Sequence, residues 1–95
     1  MSDYELVTII SPEVDEEGMA NIIDKVGKSI SDRGGIVDGV NKWGRRKLAY
    51  PIRKFMEADY VLTRFKLEPK LIKEVETELK ASEGTLRHLV IKAGD

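Results

Sequence analysis

The chain has 95 residues, no cysteine, and nearly balanced charge, with 16 basic against 17 acidic side chains. That length holds one domain, in which folding buries roughly two-thirds of the unfolded surface, and the missing cysteine excludes a disulfide framework or a thiolate metal site. Met1-Ser2-Asp3-Tyr4-Glu5 lacks the basic stretch and apolar core of a signal peptide, and no apolar run nears the roughly 20 residues that span a bilayer, so the expectation is a cytoplasmic protein without membrane contact.

Tyr4 to Ile10 is rich in aromatic and β-branched residues and stops at Ser11-Pro12, which predicts a strand. Asp15 then suits the cap of a helix, with Glu16 and Glu17 in its electropositive first turn. Met19, Ile22, Ile23, Val26 and Ile30 fall within one arc of about 100°, a single buried stripe. Gly34-Gly35 ends that helix. Ile36 to Tyr50 reads as a long, irregular strand in which Gly39 and Gly44 mark bulges or strong twist. Pro51 has no ladder donor, so it belongs on an edge strand or at its end. A polar turn near Glu57-Ala58-Asp59 leads into a further strand, Tyr60 to Leu67. Pro69 suits the first turn of a second helix, where Leu71, Ile72, Val75 and Leu79 share an arc of about 100°. Lys70–Glu74 and Glu76–Lys80 are spaced to pair along it. After Glu83-Gly84, Thr85 to Lys92 is the last strand.

Strand, helix, strand, strand, helix, strand is the βαββαβ order of a ferredoxin-like α+β sandwich, here a single domain over residues 1–95. Its four-stranded antiparallel sheet carries both helices on one face. The other face should be wet and its strands should alternate cleanly. They do not: Leu6 and Ile10 oppose Val7 and Ile9, Leu62 opposes Val61 and Phe65, and Leu86 and Val90 oppose Leu89 and Ile91. Something beyond the two helices covers part of the open face, and a partner protein is the simplest occupant. Which alternation faces outward is not readable from the pattern. The outward set, drawn from residues such as Val7, Ile9 and Leu62, is expected in a partner interface with the edge-strand residues Trp43, Leu48 and Tyr50.

Charge is segregated although its total is near zero. Acidic residues gather at Glu13 to Glu17 and again at Glu74 to Glu83, while none occurs between Asp38 and Glu57. That acid-free stretch holds Arg45, Arg46, Lys47, Arg53 and Lys54 around Trp43, Leu48, Tyr50 and Ile52, a combination that suits a polyanion. A plainer reading of the same residues is an edge strand kept soluble by Lys and Arg. The strand from Glu57 to Phe65 lacks the basic-glycine opening and aromatic pair of RNA-recognition domains, so RNA would be held by edges, ends and phosphates rather than by stacking on the sheet.

Catalytic chemistry finds no support. His88 is the only histidine, no Ser-His or metal-ligating spacing occurs, and Gly34-Gly35 fits neither a phosphate loop nor a dinucleotide fingerprint. The reading is of a protein that is not an enzyme and uses no cofactor or small-molecule substrate.

Gly44-Arg45-Arg46-Lys47-Leu48-Ala49-Tyr50-Pro51-Ile52-Arg53-Lys54 resembles the signature of the bacterial small ribosomal subunit protein six family. Tyr4-Glu5-Leu6, Gly34-Gly35 and Leu86-Arg87-His88-Leu89-Val90 extend the resemblance from about Tyr4 to Ile91. It implies a ferredoxin-like fold and a structural place in the small subunit's platform. It further implies binding to the central domain of small-subunit ribosomal RNA together with small-subunit protein eighteen. Arg45, Arg46 and Lys47 are the RNA contacts this implies first, with Arg87, His88 and Lys92 after them. The chain ends at Asp95 without an extended tail, so contacts made by such a tail in other members do not carry over. The competing function is a ferredoxin-like interaction or regulatory domain that binds no RNA.

Overall fold

A computed structural model describes residues 1–93, so Gly94 and Asp95 of the expected domain lie outside the described residues. The chain runs β1 (Ser2–Ile10), α1 (Glu16–Ser31), β2 (Ile36–Ile52) and β3 (Phe55–Leu67). A 3₁₀ turn at Pro69–Leu71 then leads into α2 (Ile72–Lys80) and β4 (Thr85–Lys92). Asp15 caps α1 as its type and position require, its Oδ1 accepting from the Gly18 backbone N–H at 2.7 Å. The strands form one antiparallel sheet in the order β2-β3-β1-β4, the ferredoxin-like arrangement.

Even-numbered residues of β1 face the helices. Tyr4 and Leu6 join Phe65 and Leu67 of β3 beneath Val26, Ile30, Val75 and Leu79, while Ile10 and Val61 meet Ile22. The Tyr4 and Phe65 rings stack at 5.6 Å between centroids. Gly35 is fixed by close approach: a Cβ there would lie 2.7 Å from the Lys66 carbonyl oxygen and 2.7 Å from Ile30 Cγ2. The helices are tied together by Arg33, which reaches Glu74 at 3.6 Å and Glu78 at 3.3 Å. Among the described residues neither expected pair, Lys70–Glu74 nor Glu76–Lys80, forms; Glu74 bridges Arg33 instead, whose fork is shared by two carboxylates of the neighbouring helix.

The turn expected near Glu57-Ala58-Asp59 is instead at Arg53-Lys54, and residues 57–59 lie within β3. Ile52 pairs with Phe55, and Arg45, Arg46 and Lys47 pair with Asp59, Ala58 and Glu57. The polar run is thus a strand segment matched in charge to the basic run across the ladder. Arg53 and Lys54 both have positive φ, 48° and 77°, the backbone of a two-residue hairpin turn that normally selects Asn-Gly. Replacing Arg53-Lys54 with Asn-Gly is therefore expected to stabilise the domain by about 1 kcal/mol, raising Tm by several degrees in a calorimetric scan.

β2 is an edge strand, and its register slips next to Gly39 and Gly44, as bulges at these glycines require. Gly44 has φ +81°, which no bulky residue adopts cheaply. The added twist lets the far end of the β2–β3 hairpin curl past β1 to the opposite edge, where the Tyr50 hydroxyl accepts from Arg87 at 2.9 Å. Leu48, Tyr60 and Leu86 pack on Val7, Ile9, Ala58 and Leu62 of the open face. This corrects the expectation for three partner residues: Val7, Ile9 and Leu62 are buried by the chain itself, the hairpin supplying the cover that a partner was expected to supply.

Candidate nucleic-acid interface

The hairpin sorts its basic residues by strand alternation and by cross-strand partners. Arg45 turns toward the helix side, where its Nε donates to Asp59 Oδ1 at 3.1 Å, Glu57 lies 3.9 Å away, and Nη2 reaches the Pro12 carbonyl at 3.4 Å. The Asp59 hydrogen bond, with the charges of Asp59 and Glu57, raises its pKa further above the ordinary arginine range against some desolvation. Arg45 is thus a brace across the hairpin more than a free cation. Arg46 lies on the opposite face with its guanidinium 5.2 Å from the Trp43 ring, which stacks on Tyr60 at 6.3 Å and 14°. Lys47 is exposed, and Arg53 and Lys54 stand exposed at the tip.

Across the sheet, Arg87 sits over the Tyr50 ring at 5.9 Å as well as donating to its hydroxyl. The geometry therefore brings Arg53 and Arg87 to one end of the molecule. Lys92 is exposed at the other end of β4, opposite Tyr4, and stands apart from them. His88 also departs from the expected set, because it pairs with Thr8 on the helix-facing alternation and its Nε2 is buried without a hydrogen-bond partner. Strand parity decides this: Arg87 points out, so its neighbour points in.

Burial, and then the charge of Lys25, lower the His88 pKa from its ordinary value. The folded state thus favours neutral imidazole. His88 contributes no pH penalty above the unfolded pKa of about 6.5, and stability is lost as pH falls through that value toward the lowered folded one. His88→Gln is expected to flatten the dependence of Tm on pH between 7 and 5, measured by calorimetry at constant ionic strength.

Tyr60, which completes the Trp43 stack, was not anticipated as a functional residue; the displaced turn hid its cross-strand position opposite Gly44. Leu89 and Ile91, both on β4, are further large apolar side chains left exposed on the open face, as is Ile36 on β2. Among the described residues no three His, Asp or Glu side chains are grouped to hold a metal ion, and no helix is long and apolar enough to cross a membrane.

The family model described as Ribosomal protein S6 matches residues 3–92, nearly the whole chain. The chain belongs to the ribosomal protein S6 family. A small ribosomal subunit protein bS6 from Clostridioides difficile is 43% identical over 93 residues, covering 98% of this chain and 100% of that one. Another from Clostridium novyi is 42% identical over 91 residues, 96% of each chain. The crystal structure of 30S ribosomal protein S6 from Thermotoga maritima superposes with a TM-score of 0.89 at 34% identity, over 96% of this chain and 86% of that chain. The C-terminal domain of the MgtC protein from Mycobacterium tuberculosis, at 10% identity and a TM-score of 0.65, shares the fold alone. Members of the S6 family are structural components of the small ribosomal subunit, so this chain is a ribosomal protein and not an enzyme.

Proposed function

We propose that this S6-family chain binds the central domain of small-subunit ribosomal RNA at the platform, together with small-subunit protein eighteen. The observation that carries the proposal is the β2–β3 hairpin, which presents Arg46, Lys47, Arg53 and Lys54 without a carboxylate partner among the described residues. Exposed cations with flexible stems suit backbone phosphates, which position an RNA without reading its sequence. Trp43 is already engaged by Tyr60 and Arg46 within the chain, in keeping with contact by phosphates instead of stacked bases.

The partner surface is proposed to lie on what the hairpin leaves uncovered. Trp43 and Tyr50 are exposed there, as are Leu89 and Ile91, whereas Leu48 is half-buried in the chain's own core. With few free cations the isolated chain should hold RNA weakly, and a heterodimer joins two basic surfaces and raises the effective concentration of each. The test is protection of a central-domain RNA fragment by this chain alone, by protein eighteen alone, and by the pair. Protection by the pair at concentrations where neither protects alone supports the reading; protection by the lone chain as strong as by the pair overturns the cooperative part of it.

A further inference from the structure

We propose that the junction of the hairpin tip, the end of α2 and the start of β4 is a pocket for a phosphate group. Arg53, Lys80, Thr85, Arg87 and His88 line a cavity of about 240 Å³ there, and Glu76 is its one carboxylate. The cations come from three separate elements: Arg53 from the hairpin turn, Lys80 from the last residue of α2, and Arg87 from β4. None of the three has a carboxylate partner within ion-pair distance among the described residues. Arg87 spends one nitrogen on Tyr50 and keeps its other donors.

A second, independent feature points to a ligand. Thr85 is only 6% exposed and its Oγ1 has no hydrogen-bond partner, and the same holds for the buried Nε2 of His88. Buried hydroxyl and imidazole groups normally find partners, and both orphans belong to residues that line this cationic cavity, their polar atoms lying just beneath its surface. Phosphate oxygens accept several hydrogen bonds at once and gain from charged donors, which matches this donor set. Arg53 reaches the site from a left-handed backbone position, φ 48°, that asparagine or glycine would occupy at lower cost. Strain of that kind is retained where the side chain serves a function. Lys80 and Thr85 are thereby given a role that nothing in their sequence context signals.

The phosphate can belong to an RNA backbone or be free in solution, and only the RNA source rests on the function proposed above. The experiment follows the His88 ring and Thr85 backbone signals by NMR at pH 7.5 and constant ionic strength. Inorganic phosphate is added against a chloride control, in the intact chain, in Lys80→Gln and in Thr85→Val. Saturable shifts with phosphate but not chloride, weakened at least about tenfold in Lys80→Gln, are expected, one charge-assisted contact being worth that much. No saturable shift, or equal affinity in all three proteins, overturns the pocket. A second arm measures affinity for a central-domain RNA fragment. Weaker RNA binding by Lys80→Gln identifies the RNA backbone as the source, and unchanged RNA binding with abolished phosphate binding identifies free phosphate. RNA affinity indifferent to Arg46 and Lys47 would count against the proposed function while leaving the pocket standing.

Discussion

Leu62→Glu and Val7→Glu are expected to unfold the domain. Leu62 is 6% exposed and Val7 7%, both under the curled hairpin. Each replacement forfeits about 1.5–3 kcal/mol of apolar burial and adds several more for an unpaired buried carboxylate. A small domain has about 5–15 kcal/mol in total, so either change consumes most of it. Tyr50→Glu is the contrasting case. At 57% exposure it should remain folded, with a carboxylate placed near Arg87. Thermal melts followed by circular dichroism separate the two classes, and a Leu62→Glu protein melting cooperatively within a few degrees of the parent would show that the hairpin does not seal this face.

Replacing Arg46, Lys47, Arg53 and Lys54 with Gln should lower affinity for the central-domain RNA by about tenfold or more, because even one charge-assisted contact is worth about 1.5–3 kcal/mol. The plot of log affinity against log salt should also flatten, by roughly 0.7–0.9 for every phosphate that the variant no longer neutralises. The fold should be largely untouched, since these residues are exposed and none pairs with a carboxylate among the described residues, Arg46 losing only its exposed contact with the Trp43 ring. Arg45 belongs to a different class. Arg45→Ala leaves the buried carboxylate of Asp59 without its 3.1 Å partner, so its main expected effect is on stability. A filter-binding titration across salt, beside a melt of each variant, distinguishes the groups. An unchanged salt slope in the fourfold Gln variant would remove the hairpin from the RNA interface.

Local chemistry made much of the fold legible. The Asp15 cap, the bulges at Gly39 and Gly44 and the edge position of Pro51 each follow from one residue's conformational or hydrogen-bonding limits, and the stripe from Met19 to Ile30 follows from helical periodicity. The hairpin turn was not legible, because Arg53 and Lys54 adopt left-handed backbone without the glycine or asparagine that normally advertises it. Glu57 and Asp59 then looked like turn residues, when they are strand residues matched to Lys47 and Arg45. The apolar residues on both alternations correctly indicated a covered face. Its cover is a long-range product of twist, which puts Leu48 and Tyr50 over strands distant in the sheet. For the site, the basic run was visible as composition. Its division into the brace Arg45 and the free Arg46 and Lys47 depends on cross-strand register, and the inward turn of His88 depends on the parity of β4.

The most direct measurement of the central claim is sedimentation of a cell extract through a sucrose gradient, with this chain detected by antibody in each fraction. Co-migration with the small ribosomal subunit, persisting when subunits are separated at low magnesium, is the predicted result. Recovery of the chain wholly at the top of the gradient, with small subunits intact and free of it, would contradict the account.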